Sequence, residues 1–288
     1  MVSTVESRDT VTETPVAEPG SLPSPPPRAE PGRGRTATLR ARAIAVRSSA
    51  IVAFLALWQL APTFGWVDKT FLSPLSEVLA AAWDLILSGE LWTNTSASLI
   101  RSLSGFTIAV LVAVPVGLLI AHYKTVSEIL TPLFTVFLNT AAVALLPVFV
   151  LIFGIGETSK IAIITYACFW PVLYNTISGA RNVDPLLIRS VESLGVTGPR
   201  LFQKVIVPAA LPTIFTGIRL AGAASIVVLI TTELVGAKAG LGYLISNSQF
   251  NFQIPQMYAG ILTVAVVGVG FNGLLAWAEK KLTRGRAG

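Results

Sequence analysis

Six runs of apolar residues organise the chain: Ala50 to Trp66, Gly105 to Ala121, Leu133 to Phe153, Ile161 to Ala180, Ile214 to Val235 and Met257 to Trp277. A helix needs roughly 20 predominantly apolar residues to cross a hydrocarbon core. None of the runs alternates apolar and polar positions as a barrel strand does, so the pattern predicts an all-α, polytopic transmembrane helical bundle of about six spans. Between the first two runs, Leu75, Val78, Leu79 and Trp83 recur at helical spacing beside Glu77 and Asp84. That spacing predicts an amphipathic helix along a membrane surface within residues 71–104, a stretch too polar to span.

The one long polar interruption runs from Arg181 to Pro212. Asp184 before Pro185 reads as an N-cap followed by proline at the first helical position, and Gly195 reads as the stop of that helix. Leu187, Val191 and Leu194 form its apolar face. Thr197 or Gly198 before Pro199 opens a second helix with the stripe Leu201, Phe202, Val205 and Ile206, which Pro208 and Pro212 are expected to close. The product is an amphipathic hairpin, either a plain interfacial connector or a docking element.

Composition places this pattern in a membrane. Of 288 residues, 53% are hydrophobic and only 12% charged, where a soluble domain has about 25% charged residues. The charges sort by side. Sixteen lysines and arginines fall at the two termini and in the loops on their side of a six-span bundle, against four (Lys69, Arg101, Lys160 and Lys238) on the other, with Arg219 inside a span. The positive-inside rule puts both termini and the hairpin in the cytoplasm of a multi-pass cell-membrane protein. Residues 1–45, rich in Pro, Ser, Glu and Arg, read as a disordered basic tail against anionic headgroups. Residues 46–104 then hold the first span and the outer amphipathic segment, and 105–288 the main transmembrane domain.

Candidate chemistry is sparse. A single Cys168 and a single His122 exclude an intrachain disulfide, a His/Cys metal site and a histidine-based catalytic centre, and a role in nucleic-acid binding is not expected. FGIGETSK at 153–160 lacks the G-x-x-x-x-G-K-[ST] spacing with which a phosphate loop wraps nucleotide, so it reads as an outer turn. Polar groups at membrane depth must face protein or water. Asn139, Asn175 and Thr232 are therefore candidate pathway-lining residues, with hydrogen bonding to a neighbouring helix as the alternative for Asn139. Glu233 reads either as a gate or packing carboxylate near the outer mouth or as a charge exposed at a span end. Arg219 is expected to snorkel to the cytoplasmic surface.

Ser190-Val191, Leu194-Gly195 and, nine residues on, Val205-Ile206-Val207-Pro208 resemble the EAA signature of binding-protein-dependent ABC importer permeases. Arg189 stands where that family often has Glu, and Ser190-Val191 replace the two alanines. Ser98 to Phe106, the F-G-I-G-E-x-S-K turn and Gly240 to Ile245 resemble the nitrate, sulfonate and taurine group. The resemblance implies a type I ABC importer permease fold whose hairpin couples to an ABC ATPase through Arg189, Val191, Glu192, Leu194, Gly195, Val205, Val207 and Pro208. It further implies an extracytoplasmic substrate-binding protein, a second permease copy as a homodimer, and ATP and Mg used by the partner ATPase, with no cofactor bound by this chain. The implied solute is a small anion such as nitrate, an aliphatic sulfonate or taurine. The rival reading is an ion-coupled secondary transporter, which would need more charges within its spans.

Overall fold

The computed structural model describes residues 49–284; the predicted tail at 1–45 and the terminal Arg286 lie outside the described residues. Every regular element among the described residues is a helix: α1 (Ser49–Thr63), α2 (Leu75–Leu87), α3 (Glu90–His122), α4 (Lys124–Asn139), α5 (Leu146–Phe153), α6 (Glu157–Arg181), α7 (Pro185–Ser193), α8 (Gly198–Leu201), α9 (Val207–Leu234), α10 (Leu241–Phe250) and α11 (Ile254–Arg284). The unit that begins at Phe54 carries the architecture; of the preceding one, the described part is the start of α1, Ser49 to Ala53. Four described helices are long and apolar enough to cross a membrane, and α4 with α5 is long and apolar enough only when taken together as one sharply bent pair. Helix α1 occupies the first predicted span and is shorter than the others.

Helices α3, α6 and α9 pack along their lengths and form the core. Phe106, Ala109 and Ala113 meet Ile163, Ile164, Cys168 and Val172, with Ala221, Val228 and Leu229 closing the third side. Small residues set the spacing. A Cβ on Gly105 would lie 2.7 Å from Ile164 Cγ2, and one on Gly217 would lie 2.6 Å from Asn175 Cβ, so both contacts need a bare backbone. A second cluster joins α2 to α10 and α11 through Val78, Leu85, Leu244 and Ala259. On α2, Val78 is buried as the pattern predicts, whereas Leu79 and Trp83 face outward. Trp58 Nε1 donates to Ser73 O at 3.1 Å, and Tyr258 Oη donates to Phe71 O at 2.9 Å, which ties the α1–α2 connection to the bundle.

Three elements differ from the sequence expectation, each for a local reason. The third run is not one helix: α4 and the segment Ala142–Phe153 meet at 83°. Asn139 Nδ2 and Thr140 Oγ1 donate to the carbonyls of Thr135 and Val136, Thr140 and Ala141 take extended backbone angles, and Pro147 opens α5 without an N–H. Side-chain back-bonding followed by proline favours ending one helix and starting another. Next, α3 is continuous from Glu90 to His122, so residues 104 and 105, where the sequence suggested a boundary, lie mid-helix. One face of its polar first turns, Asn94, Ser98, Arg101 and Ser102, is buried against neighbouring helices, while Glu90 and Thr93 stay exposed. Finally, Pro208 and Pro212 do not close the hairpin's second helix, which continues from Gly198 to Leu234 over 37 residues. A π-helical segment at Phe202–Ile206 widens the turn where the Pro208 ring would otherwise clash with the carbonyl four residues back.

Candidate functional site

The hairpin is anchored at its base and bare at its tip. Asp184 Oδ1 accepts from Leu186 N at 2.8 Å, the N-cap that the sequence predicts for α7. At the other end Gly195 N donates to Glu192 O at 2.9 Å and Val196 N to Val191 O at 3.3 Å, with Gly195 at φ +79°. These paired bonds and the left-handed glycine make a Schellman stop. The base is held by Arg181, which donates to Ser127 Oγ at 3.0 Å and Glu128 Oε1 at 3.1 Å. Phe202 sits edge-on to His122 at 5.1 Å, and Leu201 is buried. Val205, Val207 and Pro208 are half-buried along the return. At the tip, Arg189 and Glu192 are exposed and Val191 is half-buried. Leu186 is 69% and Leu194 81% exposed, and a Cβ on Gly195 would meet nothing within 4 Å. The hairpin thus carries large apolar side chains bare on an otherwise polar element.

The four candidate pathway residues do not share one environment. Asn139 is exposed beside the helix break, next to a cavity of about 370 Å³ walled by Phe137, Thr140, Tyr166, Trp170, Ala223 and Val227. Asn175 is half-buried and donates to Pro171 O at 2.8 Å. Thr232 is 1% exposed and donates to Leu229 O at 2.7 Å, so it does not line an open surface; its hydroxyl is satisfied by its own helix. Glu233 is equally enclosed, so it is not a charge exposed at the span end.

What surrounds Glu233 was not apparent from the sequence. Its Oε1 accepts from Arg101 Nη1 at 2.7 Å, its Oε2 accepts from Gly242 N at 2.9 Å, and Ser98 Oγ lies 2.8 Å from both oxygens. Ser98 Oγ also accepts from Leu241 N at 2.8 Å, and Asn94 Oδ1 accepts from Gly240 N at 2.8 Å. The first N–H groups of α10 are thus capped by side chains of α3 and α9 rather than by its own sequence. Arg101, itself 5% exposed, also donates from Nη1 to Ala239 O at 2.6 Å. Its Nε and Nη2 turn the other way and donate to the carboxylate of Glu157, the Nη2 bond measuring 2.8 Å. Gly240 and Gly242 are required here, since Cβ atoms would fall 2.4 Å from the Glu233 carboxyl carbon and 2.6 Å from its Cβ. One sequence signal did exist: Asn94, Ser98, Arg101, Ser102 and Gly105 repeat at intervals of three and four, a polar stripe down one helix face. At the opposite end Arg219 is tied to Glu279 at 3.2 Å rather than only reaching for the surface.

Residues 113–284 match the family model of the binding-protein-dependent transport system inner membrane component. The putative aliphatic sulfonates transport permease protein SsuC of Bacillus subtilis is 34% identical over 81% of this chain and 84% of its own length. The taurine transport system permease protein TauC of Escherichia coli is 30% identical over 84% of this chain and 90% of its own. The riboflavin transport system permease protein RibX of Chloroflexus aurantiacus is also 30% identical, over 82% and 88%. With its all-helical bundle and its EAA-like hairpin, the chain belongs to the binding-protein-dependent transport system inner membrane components, the permeases of ABC transporters.

Proposed function

We propose that this permease forms, with a second copy of itself, the membrane pathway of an ATP-driven importer for a small sulfonate-bearing solute such as an alkanesulfonate or taurine. A separate ATPase that uses ATP and Mg is coupled through residues 181–212, and an extracytoplasmic binding protein delivers the solute. The observation that carries the reading is the exposed first helix of the hairpin, where Leu186 stands bare at the start of α7 and Leu194 beside the open, left-handed Gly195 at its end. A left-handed glycine ends many helices; what favours docking is that the apolar Leu194 beside it and the space around it are left uncovered. Both termini and the hairpin then lie in the cytoplasm. Among the four basic residues of the opposite side, Arg101 and Lys160 are buried.

Relatives named for aliphatic sulfonates, taurine and riboflavin resemble this chain to similar extents, which is consistent with solute choice resting largely on the binding protein. The test is reconstitution with the ATPase and the binding protein encoded beside this chain. ATP hydrolysis and uptake should be stimulated by that binding protein loaded with taurine or an alkanesulfonate; stimulation by nitrate or riboflavin instead would change the solute, and uptake that persists without the ATPase would favour an ion-coupled carrier. Sidedness is tested with single cysteines in a Cys168→Ser background: Ser88→Cys and Lys238→Cys should react with an impermeant reagent from outside, and Thr197→Cys only from the cytoplasm.

A further inference from the structure

Arg101 serves two carboxylates that differ in one decisive respect. The Glu233 side chain is 0% exposed and that of Glu157 is 60% exposed. Glu233 is also held by Ser98 and the Gly242 amide, deep between helices, where water has no access to replace them. Glu157 reaches Arg101 from the first residue of α6, at the edge of the bundle, and the first turn of α6 has no side-chain cap. A carboxylate that leaves Arg101 there finds solvent on one side and the amide end of its own helix on the other, and both stabilise its charge.

The chain that Glu157 terminates is also set apart. Gly154 at φ +78° and the extended Gly156 flank Ile155, which is 79% exposed. Beyond them α5 leaves α4 at the 83° bend. This bent arm packs on α6 much less extensively than α3 and α9 do. Glu157 is thus the point where a loosely packed arm is tied to a tightly packed block.

We propose that the Arg101–Glu157 ion pair is a releasable tether: it positions the α5–α6 turn against the buried joint in the resting permease, and it opens when the pathway is exposed to the outer side. The inference rests on the transport reading above, and Glu157 acts in it as a positioning residue, without contact to solute. Release leaves Nε and Nη2 of a guanidinium that is only 7% exposed without their acceptor, so the closed state is favoured at rest and a docked partner must supply the difference. The Glu233 half of the cluster cannot serve in this way, because it has no solvated alternative.

The experiment uses the complete reconstituted complex and two readouts, ATP hydrolysis without binding protein and amide hydrogen exchange over residues 153–159. Glu157→Gln should raise binding-protein-independent hydrolysis about tenfold or more, the loss of a charge-assisted hydrogen bond to a buried guanidinium expressed as a population ratio. It should also speed exchange in the 153–159 segment while leaving residues 236–245 protected. Glu157→Asp should restore much of the wild-type behaviour. Wild-type values for both readouts in Glu157→Gln would overturn the tether, as would loss of protection across 236–245, which would show the pair to be part of the fixed joint. Failure of the transport reading is seen separately: the wild-type complex would then show no stimulation by loaded binding protein, whatever Glu157→Gln does to exchange.

Discussion

The two ends of the α3–α6–α9 core handle polar residues in opposite ways. At one end Arg101, Glu233, Ser98 and Asn94 satisfy each other and the amides of α10, so the cluster is complete within a single chain. At the other the hairpin satisfies its backbone with a cap and a Schellman stop but leaves Leu186 and Leu194 bare. A closed network resists change and a bare apolar tip invites a partner. The first region holds helices together, and the proposed role of the second is contact with the ATPase, so substitutions at the two ends should fail in different ways.

The largest effect is expected at the joint. Glu233→Ala leaves Arg101 buried with one anionic partner fewer and uncaps α10, and should cost about 3–5 kcal/mol, read as loss of monodisperse permease after extraction and a lower unfolding temperature. Replacing both partners, as Arg101→Met with Glu233→Leu, should be less harmful than Glu233→Ala alone, because no charge is then stranded; strict additivity of the two single losses would break the claim of a closed network. Gly240→Ala comes next, at roughly 2–4 kcal/mol, since φ is +126° and the new Cβ would fall 2.4 Å from the Glu233 carboxyl carbon. A Gly240→Ala protein as stable as wild type would show that the α9–α10 loop relaxes freely.

The two ends also differ in how far the sequence foretold them. The hairpin was legible because its signals are local: Asp184 and Pro185 start a helix and Gly195 stops it, each acting over a few residues. The joint was not, because Arg101 meets Glu233 across 132 positions and Asn94 meets Gly240 across 146. Polar residues at 90–104 read as belonging to water when their partners lie on another helix, so the region appeared to be a surface segment rather than the start of α3. The bonds that Asn139, Asn175 and Thr232 make to carbonyls of their own helices likewise leave no trace in the pattern. Asn139, Thr140 and Pro147 were visible as an interruption of the third run, but the angle of the bend depends on how α5 packs. Pro208 and Pro212 misled for a different reason: proline predicts a stop, and a wider helical turn absorbed it.

At the hairpin the expected effects on stability are small and those on coupling are large, and Gly195 separates the two. Gly195→Glu keeps the fold, because nothing lies within 4 Å of the added Cβ, so the permease should still insert and pair with its second copy. It should nevertheless lose ATPase capture in a pull-down and binding-protein-stimulated hydrolysis, since a charged side chain would project from the docking tip. Gly195→Ala is the mildest change and the most informative control. Its methyl group carries the strain of a left-handed backbone, about 1 kcal/mol, the kind of strain Gly240→Ala also carries, but it meets open space instead of a carboxylate. Stability should fall by about that amount, and stimulated hydrolysis should stay near the wild-type rate. If Gly195→Ala abolished hydrolysis as Gly195→Glu is expected to, the tip would be sensing backbone geometry rather than bulk; if Gly195→Glu hydrolysed ATP normally, the hairpin would be a connector and its bare leucines would need another explanation.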